Sequence, residues 1–213
     1  MYADGDNLTI WTIGHSTRTI EQFVELLTAN GIELLVDIRR HSGSRKFPQF
    51  NPEPLAASLR EAGVEYTRIE KLGGRRKVHA DSHNTVWRNA SFRGYADYME
   101  TAEFRCGIDA LVSLAERKRT AIMCAEAVWW RCHRSLVADY LKAKGAAVLH
   151  ILSETSVKEH PFTSAATVVR DTVRYGEARE DKAMSDKKFK VGDHVKWNSE
   201  AGHVSGHIIK IHF

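Results

Sequence analysis

The chain has 213 residues, 43% hydrophobic and 27% charged, the balance of a folded globular protein rather than a disordered or fibrous one. Lys and Arg number 31 against 27 Asp and Glu, a net charge of +4 that permits an anionic partner without demanding one. No run nears the roughly 18 consecutive apolar residues of a membrane span. The N-terminus, Met1-Tyr2-Ala3-Asp4-Gly5-Asp6-Asn7, is polar and acidic, unlike a secretory signal. Three cysteines make no disulfide framework, so a reduced cytoplasmic compartment, with no membrane partner, is expected.

Short β-rich runs alternate with helical patterns through residue 152. Leu8 to Ile13 reads as a strand that ends at Gly14-His15-Ser16. Thr19 then offers an N-cap, with Gln22 at capping-box spacing; Ile20, Phe23, Val24 and Leu27 follow at helical spacing up to Gly31. Leu34 to Ile38 is nearly all apolar, as a strand covered on both faces should be. A helix over Pro52 to Ala62, closed by Gly63, and a strand over Val64 to Ile69 come next. A helix carrying Leu111, Val112, Leu114 and Ala115 leads into a strand over Thr120 to Cys124. A helix over roughly His133 to Lys144 ends at Gly145, and Val148 to Leu152 is the last strand of the series. This rhythm predicts an α/β fold: a mostly parallel, Rossmann-like sheet with right-handed crossovers and helices on both faces. The stretches His41 to Gln49 and Leu72 to Arg93 read as long, basic, irregular loops, a usual place for function.

The character changes after residue 153. Residues 154–187 are polar and charged and read as a linker. In residues 188–213, Phe189, Val191, Val195 and Trp197 alternate with polar residues, as do Ile209, Ile211 and Phe213, which predicts two strands joined through Ser199 to Gly202. A lone hairpin is marginal in water, so this piece is expected to dock on the main domain or on a second protomer of a homo-oligomer.

Ligands of open parallel sheets bind outside the carboxyl ends of the strands. Three sequence-distant strands deliver polar residues there: His15, Ser16 and Thr17 from the first, Asp37, Arg39 and Arg40 from the second, Cys124 and Glu126 from the fourth. Cys124-Ala125-Glu126 is followed by Arg131-Cys132-His133-Arg134 at a helix start, where dipole and cations favour a thiolate. Most free cysteines are small core residues, and that reading stands beside the functional one. Three chemistries compete for the element. Zinc is disfavoured by the eight-residue cysteine spacing and the adjacency of Cys132 and His133, so no metal and no cofactor are expected. A cysteine-phosphatase loop is disfavoured because Arg131 falls one residue too far from Cys124. In the third, Glu126 is the general acid or base, with Cys124 or Cys132 as nucleophile or pocket wall. Arg39, Arg40, Arg45 and Lys46, and then Lys71, Arg75, Arg76 and Lys77, follow strand ends, and Gly73-Gly74 allows close backbone approach to a phosphate. Phe47, Phe50, Trp87, Phe92, Tyr95, Trp129 and Trp130 interleave with these cations, as in proteins that stack bases. Any one of them, taken singly, reads better as ordinary packing.

Thr12-Ile13-Gly14-His15-Ser16, Leu35-Val36-Asp37-Ile38-Arg39, Leu72-Gly73-Gly74-Arg75, Phe92 to Met99 and Met123-Cys124-Ala125-Glu126 through Cys132-His133-Arg134-Ser135-Leu136 together resemble the DUF488 family of bacterial and archaeal proteins, from about Thr9 to Leu152. The resemblance implies a compact α/β fold with a parallel sheet. It singles out His15, Asp37, Arg39, Gly73, Gly74, Arg75, Cys124, Glu126, Cys132, His133 and Arg134, and implies no reaction. Lys188 to Gly206 resembles the start of a tudor-like, SH3-type barrel found in hypervirulence-associated bacterial proteins; such a barrel needs about five strands, so the C-terminal β segment reads as an incomplete one.

The residues point to an enzyme acting on a nucleotide or on a base or phosphate of nucleic acid. Glu126, Cys124, Cys132 and His15 are its candidate catalytic groups; Asp37, Arg39, Gly73, Gly74, Arg75, Trp129, His133 and Arg134 are its candidate binding groups. Two alternatives stay open: a non-catalytic module binding the same ligands, and a thiol redox or sulfur-transfer protein using Cys124 and Cys132.

Overall fold

The computed structural model describes residues 8–176, 194–199 and 202–207, and the chain forms two compact units, residues 1–177 and 178–213. In the first unit β1 (Thr9–Gly14), α1 (Ile20–Ala29), β2 (Leu34–Asp37), α2 (Pro52–Glu61) and β3 (Glu65–Arg68) follow one another. Then come α3 (Ala90–Met99), α4 (Ala102–Ala115), β4 (Thr120–Cys124), α5 (Arg134–Ala143) and β5 (Ala147–Ile151). The capping box opening α1 forms as the spacing predicts: the Gln22 amide donates to Thr19 Oγ1 at 3.3 Å, and the Thr19 amide to Gln22 Oε1 at 3.1 Å. The basic stretch after Leu72 stays irregular only to Asn89, whose side chain accepts from the Ser91 amide at 2.8 Å and starts α3, a helix the composition hid.

The sheet runs β3-β2-β4-β1-β5, all parallel, as the β-α rhythm predicts. Side chains alternate along the buried strands. Trp11, Ile13, Leu35, Ala121 and Met123 face α1 and α2 through Phe23, Leu27, Leu55 and Leu59. Ile10, Leu34, Val36, Ile122 and Val148 face α3, α4 and α5 through Tyr95, Phe104, Leu111, Leu136 and Leu141. Both faces are covered, so the strands lack polar stripes except where a site requires them.

The boundary expected at residue 153 moves. Residues 154–176, read as linker, pack on the domain. Val157–Glu159 forms β6, antiparallel to β5 at the sheet edge. Thr167–Val169 (β7) and Thr172–Arg174 (β8) make a hairpin whose two turn residues, Arg170 and Asp171, both sit at positive φ. His160 and Tyr175 are buried. The segment looked like linker because its strands have three residues each and its buried groups are polar or isolated.

In the second unit His194–Ser199 (β9) and Gly202–His207 (β10) pair antiparallel with Trp197 opposite Val204, a hairpin about the turn the sequence predicts. Residues 177–187, Phe189, Val191, Ile209, Ile211 and Phe213 lie outside the described residues. No helix among the described residues is long and apolar enough to cross a membrane.

Candidate functional site

The chain leaves β1 and β2 through α1 and α2 on one face of the sheet, and leaves β4 through α5 on the other. Because β4 lies between β1 and β2, their carboxyl ends bound a crevice at this switch point. A pocket of about 400 Å³ opens there, its lining including Arg39, Arg40, Arg75, Cys124, Glu126 and His133. Cys132, Arg131, Gly74 and Phe92 also face it.

Cys124 at the end of β4, and Cys132 and His133 leading into α5, form its floor. Their three donor atoms lie within 4.8 Å of one another. His133 Nδ1 stands 3.8 Å from Cys124 Sγ and 3.6 Å from Cys132 Sγ. His133 Nε2 is 3.1 Å from the Ile38 carbonyl and donates to it, which leaves Nδ1 facing both sulfurs. Cys124 is 8% exposed and Cys132 3%. Burial opposes charge on Cys132, but the Cys124 thiol hydrogen, His133 and Arg134 outweigh it and hold its pKa well below that of an ordinary thiol. The bond to Cys132, and then burial, push Cys124 well up. One proton therefore leaves the pair readily and the second resists.

Arg134 is 1% exposed and has no carboxylate partner among the described residues. Its Nη1 donates to Thr12 Oγ1 at 3.3 Å, and its Nη2 to the Glu126 carbonyl and, at 3.4 Å, to that of Ala127. The guanidinium thus ties the loop after β4 to β1. Gly14 makes the tie sterically possible: a Cβ there would stand 1.8 Å from the Glu126 oxygen.

His15 and Arg39 support the pocket from behind. Arg39 Nε and Nη2 donate to Asp37 Oδ1 and Oδ2 at 2.9 and 2.7 Å, and the Tyr66 hydroxyl donates to Asp37 Oδ2 at 2.9 Å. Arg39 Nη2 also reaches the Phe50 carbonyl at 2.7 Å, and its Nη1 lies 3.3 Å from His15 Nε2. The imidazole of His15 is stacked on Phe50 at 4.2 Å, and its Nδ1 donates to the Ser16 carbonyl at 3.0 Å. Burial, helped by Arg39, lowers its pKa to about 4 against the pull of that carbonyl. Neutral His15 is therefore an acceptor for Arg39. Asp37 and Arg39 are fully engaged with each other, so Arg39, expected to hold phosphate, lines the wall as a compensated charge.

The free charges are on the rim. Arg40, Arg75 and Arg131 are exposed and have no carboxylate partner among the described residues. Arg40 Nη1 donates to the Arg75 carbonyl at 2.8 Å, joining two loops, and Arg75 itself sits at φ +56°. Gly73 and Gly74 bring this loop down: a Cβ on Gly73 would stand 2.9 Å from the Arg40 backbone, and one on Gly74 2.8 Å from His133 Nδ1. Glu126 is exposed at the pocket, its carboxylate without a hydrogen bond or ion pair among the described residues. Phe92, half-buried, lines one wall with Trp87 stacked on it at 4.8 Å.

Trp129 does not reach the pocket. It is 8% exposed and lies flat on His150 at 4.4 Å; its neighbour Trp130 is the exposed one, at 56%. The expected base-stacking pair is thus one core residue and one surface residue. Behind Trp129 runs a buried chain that the sequence reading missed. Thr12 Oγ1 is 2.7 Å from His150 Nδ1, His150 Nε2 2.9 Å from His160 Nδ1, and His160 Nε2 2.9 Å from Asp139 Oδ1. Asp139 also accepts from Thr163 Oγ1 at 2.6 Å and the Tyr175 hydroxyl at 2.9 Å. Read from Arg134 to Asp139 every bond can donate in the same direction, and each ring nitrogen of His150 and His160 is partnered. A histidine at the centre of a buried strand and an aspartate on the inner face of α5 were the available signals.

These features define a doubly wound α/β protein with a thiol- and imidazole-floored, cation-rimmed pocket at its switch point. The chain belongs to the DUF488 family, whose model (domain of unknown function DUF488) matches residues 19–141, a span holding every pocket residue named above. His15 and Gly14 precede the matched span. No curated protein and no solved structure matches the chain.

Proposed function

We propose that this protein is an enzyme acting on a nucleotide, or on a base or phosphate of nucleic acid, in the pocket beyond β1, β2 and β4. The observation that carries the reading is the division of labour in that pocket: three uncompensated arginines on the rim, a free carboxylate at Glu126, and two thiols with an imidazole on the floor. Uncompensated arginines favour a phosphate, and Phe92 offers an aromatic face for a base. Glu126 is the general acid or base, while Cys132, Cys124 and His133 meet the reacting atoms. Arg39, Asp37, His15 and Arg134 act through the residues they hold.

The test follows nucleotides and oligonucleotides, extracted from the purified protein or supplied as a defined mixture, by mass spectrometry. Wild type should convert one of them; Glu126→Gln should bind it and leave it unchanged. Binding without conversion by wild type would make the chain a binding module, and undiminished conversion by Glu126→Gln would remove the carboxylate from the chemistry. The proximity of the two sulfurs favours one second reading, thiol redox or sulfur transfer, whose signature is a Cys124–Cys132 disulfide under mild oxidant.

A further inference from the structure

The sequence spacing of Cys124, Cys132 and His133 argues against a metal, but ligand geometry is set in space. A strand end and the start of a helix bring together two sulfurs and one imidazole nitrogen that are eight and nine residues apart in sequence. A tetrahedral zinc site with Zn–S of about 2.3 Å and Zn–N of about 2.0–2.1 Å has S···N edges of about 3.6 Å. The two S···N separations are 3.6 and 3.8 Å. His133 meets a second requirement of metal-binding histidines: its other nitrogen donates to a backbone carbonyl, that of Ile38, which fixes the tautomer and aims Nδ1. Tyr95, wholly buried, packs against the ring with centroids 5.0 Å apart and holds its plane.

Arg134, a buried guanidinium without a carboxylate partner among the described residues, directly follows His133, and a cation there favours anionic sulfur ligands nearby. All three donor residues line the pocket, so a fourth coordination position would open into the space that Arg40, Arg75, Arg131 and Glu126 surround.

The geometry points to Cys124, Cys132 and His133 as a three-ligand site for a thiophilic divalent metal of the zinc class, its fourth position open to the pocket for water or a substrate donor. Two cysteines and one histidine with an open position form the ligand set of a catalytic rather than a purely structural zinc. The inference deepens the proposed activity, and rests on it only for what the open position serves; the ligand set stands on geometry alone.

The full chain, reduced with a non-thiol reductant and stripped by chelator, is titrated with Co²⁺ as the spectroscopic stand-in and then with Zn²⁺. One equivalent of cobalt should bind with thiolate-to-cobalt charge-transfer absorption and the strong visible bands of tetrahedral geometry, and zinc should abolish both. Cys132→Ser and His133→Gln should each weaken binding by more than about tenfold, while Cys106→Ser, which removes the exposed thiol, should match wild type. The wild-type spectrum is decisive even where a ligand variant fails to fold, because charge-transfer intensity reports the thiolates bound. Cobalt bound without charge-transfer absorption, octahedral bands, or loss of the bands in Cys106→Ser would each overturn the site. No nucleotide is present in this titration, so it fails or succeeds independently of nucleotide binding, which is measured separately on the stripped protein.

Discussion

Single atoms decide much of this pocket. A hydrogen on Gly14, where any other residue carries a Cβ, lets Arg134 grip the Glu126 carbonyl, and Gly74 does the same for the approach of its loop to His133. Two imidazoles, His15 and His150, are held neutral. Burial is the main cause for both, taking His15 to about 4 and, with His160 beside it, His150 to about 3. A histidine whose folded pKa is depressed binds its proton more readily in the unfolded chain, so stability rises with pH across the interval between the two values. That contribution is complete above about pH 6.5 and is lost as pH falls toward the folded values. Each residue should cost roughly 2 kcal/mol between about pH 6.5 and pH 5. Urea unfolding at about pH 7.5 and pH 5 measures it. His150→Gln should shallow the pH slope while lowering stability overall; equal stability at both pH values would show that both rings take up protons in the fold as readily as in the unfolded chain.

Among the elements, the switch point between β1, β2 and β4 positions the site, and β6 to β8 complete the domain. Asp139 on α5 depends on Thr163 and Tyr175 from the segment beyond β6, and His150 on β5 depends on His160. A chain ending at residue 177 should therefore keep the melting temperature of the first unit. One ending at residue 153 should lose cooperative unfolding or melt several degrees lower, having orphaned a buried carboxylate and an imidazole. Equal melting of the two truncations, followed by circular dichroism, would restore the linker reading. Five parallel strands and α1, α2, α4 and α5 were legible because burial on both faces writes continuous apolar runs, and caps and glycines punctuate them. The three-residue strands were not, since no periodicity fits in three residues. The pocket floor was legible as Cys124, Cys132 and His133, whereas Trp129 and the engagement of Arg39 with Asp37 depend on tertiary contacts that spacing does not encode.

For the whole molecule, a net charge of +4 is too small to single out a partner, and distribution matters more than sum. Arg39 is compensated by Asp37, while Arg40, Arg75 and Arg131 stand unpaired around one pocket. Arg117, between α4 and β4, lies at the amino end of the strands, away from that rim. The central claim is that these rim arginines hold phosphate, and the salt dependence of binding to a short single-stranded oligonucleotide tests it most directly. Affinity should fall linearly with salt on logarithmic axes, with a slope set by the phosphates neutralised. Arg75→Ala should weaken binding and reduce that slope by about one, while Arg117→Ala leaves both unchanged. Binding insensitive to salt, or equal effects from Arg75→Ala and Arg117→Ala, would contradict the assignment of the pocket to a phosphate-bearing ligand.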